Sequence, residues 1–363
     1  MNFLTLPDTV FIRFAKRHWL TIAFLLGFFT DLILLNRVDD AIDNLVLFMY
    51  ASLATLSLVL FYVAIAEKAP SRVVSFLHSF MPVVMQYSFG GLLSGMLIFY
   101  GRSGDFLVSA PFLALIILVM FANELVKKRS DRLLYNLVVY FIGIFSYLVL
   151  VVPVLIGEMG NLVFIGSGLL ALLVVFLLLK VLSKIIPHFI ALEKRMIVFV
   201  IGSLYVLFNV FYFLNIIPPI PLSLTELSIY QHVERTTFGG YRIEKEEIAW
   251  WSHFGVLPVT FHPVAGEGAY CFARVYAPTS LKTEIVQRWE YQDTNGDWKT
   301  HYTQAYPITG ENKNGYRGFT NVKSISDGLW RCSVETVRGQ VLGRETFVID
   351  SKVQPQSLVT VTE

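Results

Sequence analysis

The feature that most constrains this chain is a series of long apolar runs within its first 220 positions. A helix needs roughly 20 mostly apolar residues to cross a bilayer. A backbone in lipid has to satisfy its own hydrogen bonds, so each run predicts a transmembrane helix. The predicted spans are 19–35, 45–66, 73–100, 106–126, 133–156, 161–182 and 196–217. Residues 1–218 are therefore predicted to form a polytopic bundle of about seven helices in contact with the lipid bilayer.

Composition agrees with this prediction. Only 15% of the residues are charged and the mean hydropathy is +0.60, whereas an ordinary soluble domain has about 25% charged residues. The formal net charge is +2, and no basic face or cluster stands out in the C-terminal part. This distribution is not typical of a protein that binds nucleic acid.

Basic residues are concentrated in alternate connections between the predicted spans. These connections hold Arg13, Lys16, Arg17, Lys68, Arg72, Lys127, Lys128, Arg129, Arg132, Lys180, Lys184, Lys194 and Arg195. The intervening connections hold only Arg37 and Arg102. By the positive-inside rule the basic connections are cytoplasmic. Seven crossings from a cytoplasmic N-terminus would then place the C-terminal part outside the cytoplasm.

Three polar residues in the predicted spans are candidate functional residues, because polar groups at membrane depth are costly. Asp31 lies near the end of the first span, and His78 and Gln86 lie in the third. They would either line a polar path in a transporter-like bundle or make ordinary interfacial and interhelical contacts.

The third span also carries small residues at a regular spacing. Gly91 and Gly95 are four positions apart, which allows a neighbouring helix to approach closely. That helix would belong to the same bundle or, in an oligomer, to a second copy of the chain.

Residues 219–255 are predicted to form a stalk. The run PPIP at 218–221 cannot continue a helix. Ser223 and Glu226 have the spacing of a capping box, which predicts a short helix through about residue 235. The alternative is a segment that runs extended along the bilayer surface.

Beyond the stalk, short runs rich in β-branched and aromatic residues alternate with turn signals. The predicted strands are 256–262, 269–277, 284–292, 298–308, 315–323, 329–337 and 340–349. Turns are predicted at the pairs Asn295 with Gly296, Asn314 with Gly315, and Arg338 with Gly339. Seven short strands at this spacing predict an all-β sandwich over 256–350, followed by a tail at 351–363.

The chain has two cysteines, Cys271 and Cys332, each on the apolar face of its predicted strand. Trp289 lies between them, and this order is typical of an immunoglobulin-like core. The two residues would form a disulfide in an oxidising compartment, or remain buried thiols that pack as small hydrophobic side chains.

Six short motifs occur in order within residues 218–350. They are PPIPLSL from Pro218, CFARVYAPTSL from Cys271, RWEY from Arg288, YPITG from Tyr306, GYRGFT from Gly315 and DGLWRCSVETVRGQVLGRETF from Asp327. Together they resemble an uncharacterised bacterial family of multi-span membrane proteins that end in domain of unknown function 2914. The resemblance implies an architecture and supplies no catalytic residue. With the charge pattern, it leads us to expect a multi-pass protein of the bacterial inner (cytoplasmic) membrane.

This chain departs from the family pattern at two places. A His often stands where this chain has Gln287, and a Gly and an Arg often stand where it has Glu311 and Asn312. A function that depended on those side chains would not carry over.

The sequence contains no HExxH, GxSxG, CxxC or P-loop motif. The spacing of His253, His262 and His301 fits no standard zinc pattern, so we expect neither a metal nor a cofactor. An aromatic set either packs in the core or stacks on a sugar or a partner protein. Its candidate binding members are Trp289, Tyr291, Trp298, Tyr302 and Tyr316.

The leading functional hypothesis is a non-enzymatic scaffold that presents its outer β domain to an envelope protein or glycan. A transporter or channel-like bundle with a regulatory outer domain is one alternative. An envelope sensor is the other.

Overall fold

The computed structural model places the chain in two compact units. It describes residues 22, 25–26, 28–35, 41–68, 70–122, 129–237, 239–246, 258–264, 266–278, 281–309, 315–355 and 357–362, and no side chain at 41, 121–122 or 129–132. The first unit comprises Met1–Tyr100, Pro111–Leu155 and Met159–Phe213. The second comprises Gly101–Ala110, Ile156–Glu158 and Leu214–Glu363.

Helices make up most of the first unit. Residues 28–34 are helical. The helices that follow are α1 (Ala41–Ile65), α2 (Ser71–Arg102), α3 (Phe106–Ala122), α4 (Arg129–Ile156), α5 (Asn161–Ile185) and α6 (Pro187–Phe213). Five of these helices are long and apolar enough to cross a membrane, and α3 is a shorter apolar helix. Length and composition thus indicate a membrane-associated bundle.

The predicted spans overlap these helices, with one clear difference in bounds. The last span, predicted at 196–217, is the helix α6, which begins nine residues earlier at Pro187 and ends at Phe213. Proline suits a helix start because its missing N–H would have no partner there. The charged residues 193–195 then lie inside the helix, since a charge ends an apolar run without breaking the backbone ladder.

Glycines on α2 allow it to pack closely against α1. A Cβ atom at Gly91 would lie 2.5 Å from the ring of Tyr50, and one at Gly95 would lie 2.6 Å from Leu47. Neither position has space for a side chain. The small-residue face is therefore occupied within one chain, and an oligomer would need a different surface.

The second unit is rich in β-sheet. Its strands are β1 (Ser223–Tyr230), β2 (His232–Arg235), β3 (Tyr241–Glu246), β4 (Val259–Phe261), β5 (Ala269–Tyr276), β6 (Lys282–Gln292), β7 (Trp298–Thr309), β8 (Tyr316–Val322), β9 (Gly328–Thr336), β10 (Val341–Ile349) and β11 (Leu358–Thr362). Three sheets are formed, with the orders β1-β5-β8, β4-β10-β9-β6-β7 and β11-β3-β2. All neighbours are antiparallel except β4 and β10, which are parallel.

The three-stranded sheet β1-β5-β8 and the five-stranded sheet share one apolar core. Trp289, Trp330 and Phe347 from the five-stranded sheet pack there with Cys271 and Val322 from the other. A disulfide between Cys271 and Cys332 joins β5 to β9, with the two Cα atoms 6.5 Å apart. The two sheets are therefore linked covalently across the core.

The third sheet differs from the sequence prediction. Residues predicted as stalk form β1, β2 and β3, and the predicted tail contains β11. The predicted helix is therefore wrong, because these residues are extended and pair as strands of two sheets. Val233, Tyr241 and Ile243 cover Phe272 on the outer face of β5. Trp250 and Trp251, which fall within the predicted stalk, lie outside the described residues.

Candidate functional site

The most accessible element of the sheet domain is β7, an edge strand. It pairs with β6, and no strand among the described residues pairs with its other edge. Residues 299–305 are exposed one after another, so this stretch offers two faces and one backbone edge. An open edge of this kind can accept an extended segment of another chain.

The turn between β6 and β7 is held by local polar contacts. Lys299 Nζ lies 2.7 Å from Asp293 Oδ2, and the backbone N–H groups of Asn295 and Asp297 donate to Asp293 Oδ1 at 2.9 and 3.0 Å. These hydrogen bonds, that from Lys299 first, lower the pKa of Asp293. Gly296 has a φ of 86°, which suits glycine. The turn that joins β6 to β7 is thus held in one conformation by its own hydrogen bonds and ion pair.

The face of the five-stranded sheet opposite the core carries paired charges. Arg331 Nε donates to Glu290 Oε2 at 2.6 Å, and its guanidinium lies over the Trp298 ring, 4.1 Å from the ring centre. Next to it, Arg288 Nη2 lies 3.2 Å from Glu335 Oε2. Cation–π and ion-pair contacts of this kind hold side chains in place.

One of the five predicted binding aromatics lies entirely within the core. Trp289 is fully buried, and its Nε1–H donates to the Thr320 hydroxyl at 2.8 Å. The ring also packs edge-on against Phe347. The binding role predicted for Trp289 is therefore wrong, because this side chain of β6 lies between the two sheets.

The other four aromatics differ in how much of the ring is free. Tyr291 packs against Trp330, and Tyr316 stacks on Tyr306. Trp298 lies under Arg331, whereas Tyr302 on β7 is 39% exposed. The structure therefore leaves Tyr302 as the most accessible of the predicted set.

Gln287 occupies the position where the family pattern often has a His. It is fully buried, and its Nε2 donates to the backbone oxygen of Cys271 at 3.4 Å. Its Oε1 has no hydrogen-bond partner among the described residues. This position therefore lies in the core, away from the exposed edge of β7.

The structure separates the three polar candidates of the bundle. Asp31 is fully buried and contacts Ser94 on α2. Gln86 is also buried, eight residues or about 12 Å along α2 from Ser94, and His78, a further eight residues away, is exposed. The three side chains therefore lie at three different heights along the bundle.

The histidines in the described residues make local contacts. His262 Nδ1 lies 3.0 Å from Glu246 Oε1, and His301 packs against Trp330. His253 lies outside the described residues. In the part of the chain that the structure describes, no group of three His, Cys, Asp or Glu side chains is placed to hold a metal ion.

A family described as "Protein of unknown function (DUF2914)" matches residues 282–349. The resemblance predicted from the motifs is confirmed over this range, which is narrower than the predicted 218–350. The match begins at the first residue of β6 and ends at the last residue of β10. It thus includes β7 and the charged face, and excludes the third sheet.

Other comparisons are less informative. None of the curated proteins that were compared matches this chain. Among solved structures, the chain is similar to Pseudomonas fluorescens alkylpurine DNA glycosylase AlkC bound to DNA containing an abasic site analog, at 11% sequence identity. That alignment covers 87% of this chain and 100% of the other, with a TM-score of 0.22. A likeness of this level supports no conclusion about fold or activity.

Two features of these sites are not predictable from the sequence. The open edge of β7 depends on strand order, which is set by pairing between distant segments. The contact of Asp31 with Tyr50 and Ser94 joins residues 19 and 63 positions away. The only local signal was the polar character of Asp31 and the small residues around Ser94.

Proposed function

We propose that this protein is a non-enzymatic, membrane-anchored binding protein that presents its sheet domain to a protein of the cell envelope. The observation that carries the proposal is the edge of β7, which is exposed over residues 299–305. This edge lies within the residues matched by the family. Edge strands bind extended peptides through backbone hydrogen bonds, with side chains on both faces adding specificity.

A glycan is the other partner considered from the sequence, and the ring environments argue against it. Sugar binding on aromatic residues needs exposed ring faces. Trp289 is buried, and Trp298 lies under Arg331. Tyr291 and Tyr316 pack on neighbouring rings. Tyr302 alone offers a sugar a small surface, whereas an extended strand would use all of residues 299–305.

The proposed location is the bacterial inner membrane, with the N-terminus in the cytoplasm and the sheet domain, immunoglobulin-like in its Cys, Trp, Cys order, outside it. The basic connections support this orientation under the positive-inside rule. The bond between Cys271 and Cys332 also supports it, because disulfides persist in oxidising compartments.

Site-specific photo-crosslinking in cells tests the proposal. A photoreactive amino acid is placed at Thr303 on β7 of the full-length protein. The matched control is Thr360, which is also an exposed threonine on an edge strand but lies outside the family match. We expect a discrete, protease-sensitive adduct from position 303 and none from position 360.

Adducts of either of two kinds would overturn the proposal. One is the same set of adducts from both positions, since this would show that crosslinking at position 303 is nonspecific. The other is an adduct from position 303 that resists protease and is removed by a glycan-degrading enzyme, which would identify a glycan partner. Absence of any adduct from position 303 would also count against β7 as the binding edge.

A further inference from the structure

A carboxylic acid is enclosed in the helical bundle. Asp31 has no exposed surface, and it lies between α1 and α2. The Tyr50 hydroxyl donates to its Oδ1 at 2.8 Å. The other oxygen, Oδ2, is hydrogen-bonded to the hydroxyl of Ser94.

The number of hydrogens in this cluster is limited. Ser94 Oγ also lies 3.0 Å from the backbone oxygen of Gly91. A serine hydroxyl carries one hydrogen and can accept through its oxygen. If Ser94 donates to Gly91, the hydrogen in the bond to Oδ2 has to come from Asp31.

A neutral Asp31 completes a continuous chain of hydrogen bonds. Tyr50 donates to Oδ1, the acid O–H donates to Ser94, and Ser94 donates to Gly91. Every hydrogen in this chain is used once. Both oxygens of the acid are satisfied without a charge.

An ionised Asp31 would fit the same surroundings poorly. A carboxylate has about four acceptor positions, and the two hydroxyls fill only two of them. Among the described residues, the groups that interact with the carboxyl are Tyr50 and Ser94, and neither is a cation. A buried charge without a counterion is strongly disfavoured in an apolar interior.

We propose that Asp31 is a proton-binding site in the bundle, where it is held as a neutral carboxylic acid that donates to Ser94. The bound ligand is a proton. It joins the segment around Asp31 to α1 and α2 through one set of hydrogen bonds. This proposal is independent of the binding function proposed for β7.

Infrared spectroscopy of the full-length protein in lipid nanodiscs tests the proposal. Glu345 is a second partly buried carboxyl group, so all samples carry Glu345→Gln. At about pH 5.5, where an ordinary Asp is ionised, we expect a protonated-carboxyl C=O band that shifts in D2O. Adding Asp31→Asn should remove this band, whereas adding Asp297→Asn, at an exposed turn position, should leave it unchanged.

Ser94→Ala gives a second measurement if Asp31→Asn does not fold. This change removes the acceptor of the acid O–H, so the C=O band should remain and move to higher frequency. The proposal would be overturned if Asp31→Asn left the protonated-carboxyl region unchanged and removed a carboxylate band. It would also be overturned if Ser94→Ala did not move the C=O band.

Discussion

Glu345 of β10 lies directly opposite Cys332 of β9. It precedes the buried Phe347 by two positions, so its side chain points to the same side of the sheet. Burial raises the pKa of the Glu345 carboxyl to about 7. The structure thus places an acid beside the disulfide that joins the two sheets.

This arrangement predicts a pH-dependent stability. The pKa of Glu345 is about 7 in the folded state and near 4.5 in the unfolded state. Between these values the unfolded chain releases a proton that the folded chain keeps, so folding weakens as the pH rises. The loss is at most about 3 kcal/mol, complete above pH 7 and absent below pH 4.5.

Glu345→Gln should remove this component. The measurement is thermal unfolding of the full-length protein between pH 4 and pH 8, followed by tryptophan fluorescence. Five of the six tryptophans lie after residue 246, so the signal reports on the sheet domain. Glu284→Gln, at an exposed position, is the control. Equal pH dependence in the wild type and Glu345→Gln would contradict the prediction.

A second prediction concerns the contact between α1 and α2. Gly91→Ala should lower the stability of the bundle by about 1–3 kcal/mol, because the new methyl group would overlap the Tyr50 ring. Gly166→Ala is the matched control, since a Cβ there meets nothing within 4 Å. The measurement is the thermal stability of each variant in detergent. A similar stability for the two variants would refute the close approach.

A third prediction concerns the two cysteines. Thiol alkylation of unreduced, denatured protein should modify neither Cys271 nor Cys332, as measured by mass spectrometry. The bond closes a loop with a sequence separation of 61, so replacing both residues by alanine should cost the sheet domain about 4 kcal/mol. Alkylation of both residues in unreduced protein would show that they are free thiols.

A fourth prediction concerns orientation. A reporter that is active only in the cytoplasm, fused after residue 221, should be inactive. The same reporter fused after residue 184, beside the basic residues Lys180 and Lys184 at the C-terminal end of α5, should be active and serves as the control. Activity of the fusion at 221 would reverse the orientation proposed for the sheet domain.

Much of the fold is predictable because its signals are local. A long apolar run predicts a helix from its length alone, and α1, α2, α4 and α5 each overlap a predicted span. Strands β5 to β10 lie within two residues of the predicted runs. Alternation also placed Cys271 and Cys332 on inward faces, which the structure brings together.

The third sheet was not predictable from the same signals. β2, β3 and β11 have too little apolar sequence to predict an element alone, and they acquire a role by covering Phe272 and its neighbours. Phe272 alternates with Cys271, so one face of β5 was expected to be outward. Both faces are buried because a third layer packs on it.

The sequence by itself therefore determined a bundle of long apolar helices, a sheet-rich C-terminal domain and the position of the polar residue Asp31 within an apolar run. Only the tertiary structure decided that Trp289 is core, that β7 is an open edge, and that Asp31 contacts Tyr50 and Ser94. The physical reason is that propensity and periodicity act between near neighbours in sequence. Burial, edge position and hydrogen-bond partners depend on segments that meet only after folding.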